Sequence, residues 1–285
     1  MKILGIDSSG MTASVALVTD AGLVSEYTVN NKRTHSETLL PMIDEMLRLA
    51  GTEPEELTAI AIASGPGSFT GLRIGAATAK GLALALDIPI IPVPTLDGQA
   101  YNLAGDKRLV VSVMDARRNE VYAGAYRVHG ETGERINTAE EGVSETGAAE
   151  ISAAIIPVLT EDALPVVELF RKLNEIGEEV VFVGDGIPVV KKILAEISSA
   201  FAGEAMAENN GDGAVSAENS GDEAAGLKVP YSFAPANNAA QRGASVAVLG
   251  GIYFEEGKAI NSDDFAPEYL RKSQAERVRD EKSQA

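Results

Sequence analysis

The chain has 285 residues, a formal net charge of −18 at pH 7, 45% hydrophobic residues and no cysteine. This length and apolar content suffice for two compact lobes. Without cysteine there can be no disulfide, thiolate metal site or cysteine nucleophile, which fits a reducing, cytoplasmic location. The acidity disfavours autonomous binding of nucleic acid; if the protein serves a nucleic-acid pathway, a partner should make most of the contacts with the nucleic acid.

The first half begins with apolar strands. Strands at residues 4–7, 13–19 and 23–29 predict a three-stranded antiparallel meander, because turn-forming residues separate the second strand from the third. The first of them lacks the basic start and long apolar core of a signal peptide or membrane span, and we expect neither. The pattern of the first lobe is then β-β-β-α-β-α-β, with the later elements at residues 34–50 (helix), 59–63 (strand), 72–86 (helix) and 88–93 (strand).

The second half repeats the start of the first. A buried strand at residues 109–114 leads into Asp115, and another strand follows at 121–128, just as Asp7 ends the first strand of the chain. This weak internal symmetry predicts a duplicated fold. Later elements are predicted at residues 180–183 (strand), 187–198 (helix) and 243–256 (helix).

These patterns divide the chain into two lobes, residues 1–105 and 106–285. Two polar or low-complexity stretches, at about 131–164 and at 203–226, are interpreted as insertions in the second lobe. The final helix is expected to pack back toward the first lobe.

The first strand ends in Asp7-Ser8-Ser9-Gly10. In actin-like ATPases and sugar kinases such a turn wraps phosphate, although the same residues also make ordinary hairpin turns. A working ATPase needs a second turn with small residues, and here the second turn carries Arg117 and Arg118. We therefore expect a vestigial nucleotide turn at Asp7, Ser8 and Ser9, and we keep an ATPase or sugar-kinase relative with weak nucleotide binding as the alternative.

A glycine-rich loop precedes the second helix. Gly65, Pro66, Gly67 and Gly71 predict a structural loop, which is not a P-loop because no Gly-Lys-Ser/Thr closes it. In the helix, small residues recur at four-residue spacing from Gly71 to Ala83, and the remaining faces are apolar as well. Such a helix is buried on both sides, within its own fold or against a partner.

Other catalytic classes find little support. The chain has only two histidines, His35 and His129, and no cysteine, so a His-rich metal site cannot be assembled and no metal is expected. No Gly-x-Ser-x-Gly elbow surrounds a serine, which argues against a serine hydrolase or peptidase.

Several segments together resemble one known family. In the same order as in that family, the chain contains Leu4-Gly5-Ile6-Asp7-Ser8-Ser9, Thr34-His35-Ser36-Glu37, Gly65 to Gly75, Asp115-Ala116-Arg117-Arg118-Asn119-Glu120-Val121-Tyr122 and Pro267-Glu268-Tyr269-Leu270-Arg271. The chain resembles the TsaB (YeaZ) family of bacterial partner subunits in the synthesis of tRNA threonylcarbamoyladenosine (t6A). The resemblance spans both lobes and leaves out residues 131–164 and 203–226.

The resemblance implies an α/β, duplicated actin-like (ASKHA, ribonuclease H-like) fold, each of whose two lobes has a mixed sheet and flanking helices. It implies a non-catalytic subunit without cofactor that forms a heterodimer with the paralogue TsaD. TsaD carries a His-x-x-x-His metal site and modifies N6 of adenosine 37 in tRNAs reading ANN codons. A TsaE-type ATPase joins a ternary complex, and tRNA is bound mainly through the partner. This chain has no His-x-x-x-His.

Family pairing runs through the first two helices, here 34–50 and 72–86. We expect an Ala76→Glu change to break this pairing without unfolding the lobe. The expected contacts are His35, Leu39, Met42, Ile43, Met46, Arg73, Ala76, Lys80 and Leu84. A homodimer through the same patch is expected when the partner is absent.

Overall fold

Two mixed β-sheets of the same topology form the protein. A computed structural model describes residues 1–31, 33–129, 154–208 and 226–271. In the third range, side chains are described only up to residue 199. The sheets come from consecutive halves of the chain. In the described chain, no helix is long and apolar enough to cross a lipid bilayer.

The first sheet has the strand order β3-β2-β1-β4-β5. The first three strands are antiparallel, which confirms the predicted meander, and β4 and β5 run parallel to β1. Its elements are β1 (Lys2–Asp7), β2 (Ala13–Thr19), β3 (Gly22–Val29), α1 (His35–Ala50), β4 (Ala59–Gly65), α2 (Phe69–Leu86), β5 (Ile90–Pro94) and α3 (Thr95–Ala100).

The second sheet repeats this order as β8-β7-β6-β9-β10, again with three antiparallel strands followed by two parallel ones. The predicted duplication is confirmed. Its elements are β6 (Leu109–Arg117), β7 (Glu120–Val128), β8 (Ile155–Pro165), α4 (Val166–Ile176), β9 (Val180–Val183), α5 (Ile187–Glu208), β10 (Tyr231–Phe233) and α6 (Gly243–Glu255).

Both predicted insertions need correction at their edges. Residues 155–164 belong to β8, which pairs with β7 and completes the second sheet, so the stretch 131–164 is not an insertion throughout. Helix α5 continues to Glu208, inside the stretch 203–226. The remaining parts, 131–153 and 209–225, lie outside the described residues. Sequence patterns also missed the short helix α3, the amphipathic helix α4 and the short strand β10.

The two faces of the first sheet are covered by different helices. Successive β1 side chains point to opposite faces: Ile3 joins the core beneath α6, and Leu4 joins the core beneath α1 and α2. Helix α6 follows the second sheet in the chain but packs on β1, β2, β4 and β5 of the first. Helix α3 in turn contacts β6 and β7. The two halves are thus tied together by exchanged helices.

Helix α6 approaches the first sheet very closely at Gly5 of β1. A Cβ atom on Gly5 would overlap the carbonyl oxygen of Gly243 and the side chain of Ala247. Gly243 N also donates a hydrogen bond to Ser14 Oγ at 2.8 Å. Helix and sheet therefore meet backbone to backbone, which only residues without a side chain allow.

A Gly5→Val variant tests this contact. Because the added atoms have no space, we expect the free energy of unfolding to fall by about 3 kcal/mol in a urea titration. Gly81→Ala is the matched control, since a Cβ at Gly81 meets nothing within 4 Å. That change should leave stability equal or raise it by about 0.5–1 kcal/mol. A Gly5→Val protein as stable as the parent would contradict the packing described.

Candidate functional site

The turn after β1 lies where the two lobes meet. Asp7 is 1% exposed. Its Oδ1 accepts hydrogen bonds from the backbone N–H of Ser9 at 2.9 Å and from Ser9 Oγ at 2.6 Å. An N–H group that could have held a phosphate is therefore already bound to the turn's own carboxylate.

The start of α2 is pressed against the same turn. Ser8 Oγ donates to the carbonyl of Gly71 at 2.9 Å, and the N–H of Ser68 donates to the carbonyl of Ser9 at 2.6 Å. A Cβ on Gly71 would overlap Ser8 O, and one on Gly75 would overlap Ser8 Oγ. The glycines here serve a close approach of helix and turn.

The glycine-rich loop completes this packing. Gly65 has a φ of +130°, which favours glycine, and the Gly65–Pro66 peptide is cis. The carbonyl of Glu268 occupies the space beside Gly65, and Ser9 O lies against Gly67. The loop therefore packs against the turn after β1 and against Glu268.

Carboxylates approach the turn from the second lobe. Gln241 Nε2 donates to Asp185 Oδ2 at 3.0 Å, and both side chains lie against Gly10. Burial, with a contribution from the Asp185 carboxylate, raises the pKa of Asp7 to about 6. Burial also raises the pKa of Asp185. These surroundings disfavour a bound phosphate group, because the carboxylates of Asp7 and Asp185 would repel its negative charge.

The second turn is a tight hairpin between β6 and β7. Arg117, Arg118 and Asn119 all have positive φ, at 68°, 57° and 61°. The N–H of Arg117 donates to Asp115 Oδ1 at 2.7 Å, and the side chain of Arg117 is 81% exposed. Neither of the two turns that an ATPase would use to hold phosphate thus presents an open cradle of backbone N–H groups.

The predicted contacts on α1 and α2 require a correction. Several side chains are 0–7% exposed and form the core of the first lobe, so they offer a partner little surface, although Ile43 also lines the groove described below; they are Leu39, Met42, Ile43, Met46 and Ala76. On α1 all four predicted apolar contacts lie on the buried face, whereas on α2 Arg73 and Leu84 lie on the exposed face and Ala76 does not. An Ala76→Glu change would accordingly bury a charge in this core and unfold the lobe.

The other predicted contacts have different surroundings. His35 Nε2 hydrogen-bonds to the carbonyl of Gly10 at 2.9 Å. Lys80 Nζ donates to the carbonyls of Asp263 at 3.2 Å and Phe265 at 3.0 Å. Arg73 Nε donates to Tyr269 Oη at 3.3 Å. Leu84 alone among the predicted contacts is a large apolar side chain on open surface, 70% exposed.

The uncovered surface lies one residue away from the predicted one. The row of small residues from Gly71 to Ala83 faces inward, and the opposite side of α2 exposes Ala77, Gly81, Leu84 and Ala85. On α1, Leu40 and Leu49 are 53% and 60% exposed. We call these six residues the outer helix face. The helical period could have located it once one buried position of each helix was known.

A groove of 670 Å³ between the two helices adjoins the outer helix face. Its walls are mainly apolar. They comprise Leu40, Pro41, Ile43, Asp44, Leu47, Arg48, Gly51, Thr52, Glu53, Pro54, Leu57, Leu82 and Leu86. Exposed leucines beside an open apolar groove are typical of a surface that binds another protein.

In the parts of the chain with described positions, no group of three or more acidic or histidine side chains is arranged to hold a metal ion.

Comparisons with known proteins agree with this architecture. The family described as "TsaD: tRNA N6-adenosine threonylcarbamoyltransferase" matches residues 22–278. The tRNA threonylcarbamoyladenosine biosynthesis protein TsaB of Bacillus subtilis is 40% identical over 127 residues, 45% of this chain and 56% of the relative. TsaB of Buchnera aphidicola subsp. Schizaphis graminum is 31% identical over 193 residues, 67% of this chain and 81% of the relative.

The crystal structure of YeaZ from Pseudomonas aeruginosa superposes with a TM-score of 0.63 at 21% identity, covering 94% of this chain and 99% of that one. It shows the same duplicated actin-like, ribonuclease H-like fold. The alignment with the Bacillus relative spans little more than half of that protein's length.

An Asp7→Asn variant tests the acidity of the cleft. The pKa of Asp7 is raised from 3.8 to about 6 in the folded protein. Ionisation of Asp7 therefore leaves the free energy of unfolding unchanged below pH 4, and it lowers that free energy by its full contribution above pH 6. Asparagine keeps the Oδ1 acceptor and carries no charge. We expect the variant to match the parent at about pH 4 and to exceed its free energy of unfolding by roughly 2–3 kcal/mol at pH 8. Equal or lower stability at pH 8 would contradict this.

Proposed function

The chain belongs to the TsaB (YeaZ) group of the tRNA N6-adenosine threonylcarbamoyltransferase family, and on that premise we propose that it is a non-catalytic subunit of t6A synthesis. Its role is to bind a TsaD-type, metal-dependent paralogue and to switch on the transfer of the threonylcarbamoyl group to N6 of adenosine 37 in tRNAs reading ANN codons. The observation that carries the proposal is the outer helix face with its adjoining groove.

That surface suits another helical protein. Leu40 and Leu84 are large side chains that a solvent-exposed helix does not need, while Ala77 and Gly81 leave room for a second helix to approach closely. The partner's helices would cover α1 and α2 and so form a bundle across the two first lobes. Such a bundle would fix the geometry of the partner's own two lobes.

The cleft favours a non-catalytic role over an ATPase activity. A nucleotide needs N–H donors and room for phosphate, whereas the turn at Asp7 is closed by its own hydrogen bonds and by Gly71. With two histidines and no cysteine in the chain, the catalytic metal of the reaction belongs to the partner.

The remaining partners are those that the family resemblance implies, and the charge of the chain agrees with one of them. With a net charge of −18, this chain leaves most contacts with tRNA to the partner. A TsaE-type ATPase joins the pair in a ternary complex, and a homodimer through the outer helix face forms when the paralogue is absent. A chain without cysteine suits the reducing cytoplasm, where the complex would act.

Co-expression with the His-x-x-x-His paralogue of the same organism tests the proposal. We expect one heterodimer by size exclusion, and tRNA modification that requires both proteins together with TsaE and the threonylcarbamoyl adenylate. Modification by this chain alone, or full activity of the paralogue without it, would overturn the proposal.

A Leu84→Glu variant tests where the partner binds. A charge buried in the interface should weaken the heterodimer by roughly 30-fold or more in a titration by calorimetry. The matched control is Val167→Glu, which places the same charge on an exposed apolar position of α4, 42% exposed, in the second lobe. Both variants should keep the parent's melting temperature to within a few degrees. Equal weakening by both changes, or by neither, would contradict the assigned surface.

A further inference from the structure

The segment after α6, residues 257–271, crosses the first lobe and reaches the second; we call it the strap. It first extends the first sheet, because Ile260 and Ile90 exchange backbone hydrogen bonds of 2.8 and 2.9 Å. Phe265, 3% exposed, then enters the core that lies beneath α1 and α2. Lys80 of α2 holds the backbone there by donating to the carbonyls of Asp263 and Phe265.

The strap next follows α2 to its first turn. The N–H of Glu268 donates to the carbonyl of Ser64 at 2.7 Å. The ring of Tyr269 lies 5.0 Å from that of Phe69, and the guanidinium of Arg73 lies 3.9 Å from the centre of the Phe69 ring. Arg73 also donates to Tyr269 Oη. Three side chains thus interlock strap and helix.

These contacts adjoin the outer helix face. Arg73 precedes Ala77 by four residues, so the two side chains are neighbours on the surface of α2. Tyr269 and Leu270 are each 40% exposed beside them. A protein that covers Ala77 therefore also confines the side chains that hold the strap.

The strap ends its described course on the second lobe. Arg271 Nη1 donates to Glu120 Oε2 at 2.5 Å, and the two side chains are only 22% and 28% exposed. Glu120 is the first residue of β7, directly after the hairpin that carries Arg118 and Asn119. This ion pair connects the part of the chain that packs on α2 to the start of β7 in the second sheet.

Glu161 of β8 interacts electrostatically with the strap. Its buried Oε2 lacks a hydrogen-bond partner among the described residues. Burial, aided by the carboxylates of Asp97 and Glu268, raises the pKa of Glu161 to about 7. The strap residue Glu268 thus interacts unfavourably with Glu161, whereas Arg271 is attracted to the second lobe by Glu120.

We propose that the strap couples the outer helix face to the second lobe: a partner bound on α2 holds the strap, and the strap then fixes the β6–β7 hairpin through the pair Arg271–Glu120. The inference rests on the proposed function and adds how binding on the first lobe is transmitted to the second. No direct contact between the partner and the hairpin is needed.

Hydrogen exchange of the full chain, free and bound to the TsaD-type paralogue, tests the coupling. We expect partner binding to slow exchange of hairpin amides at residues 117–122 by about two- to fivefold. The effect should vanish in Arg271→Glu and in Glu120→Arg, and return when the two changes are combined. The control is Arg127→Glu, because Arg127 lies on β7 as Glu120 does and forms an ion pair of 2.7 Å with Glu178, which is not part of the strap.

The outcomes separate the two proposals. A heterodimer of the parent chain with unchanged hairpin exchange, or equal slowing in Arg271→Glu, would overturn the strap proposal alone. Failure of the parent chain to form any heterodimer would overturn the proposed function, and the strap proposal with it. Restoration by the double change would support the coupling even if each single variant were less stable.

Discussion

The rest of the structure depends on how closely α2 approaches the turn after β1. Gly71 and Gly75 bring the helix into contact with Ser8, with no space for a side chain at either glycine. This contact sets the rotation of α2: its small residues face the sheet, and Ala77, Gly81 and Leu84 face outward. One packing constraint thus both closes the nucleotide turn and creates the exposed surface.

The same constraint shapes the cleft between the two lobes. In the cleft, Asp7 Oδ1 accepts two hydrogen bonds from Ser9, and Asp185 approaches from the opposite lobe. An anion would have to displace internal hydrogen bonds and enter a field of buried carboxylates. On the outside, by contrast, exposed leucines and a groove lack cover within the described chain. The free energy available for binding therefore lies on the helices, because apolar surface remains to be buried there.

Much of the fold follows from local sequence patterns, and the rest does not for identifiable reasons. The strands ending at Asp7 and Asp115 are buried apolar runs, which have a strong signal. Strand β8 was missed because it lies at a sheet edge, mixes exposed and buried positions and follows a polar stretch. The apolar contacts predicted on α1 fell on its buried face because adjacent positions on a helix point about 100° apart, so Leu39 is buried while Leu40 is exposed. The strap gives no local signal, since Arg73 meets Tyr269 only after folding.

Because the natural chain has no cysteine, a single cysteine can mark the outer helix face without other reactive thiols. The most direct measurement is the reaction rate of Gly81→Cys with a maleimide, with and without the TsaD-type paralogue, beside Val167→Cys on the second lobe. We predict that the paralogue slows the reaction at position 81 at least tenfold and leaves the rate at position 167 unchanged. Equal reactivity at position 81 in the free and the bound chain would contradict the claim that this protein works by presenting α1 and α2 to an enzyme.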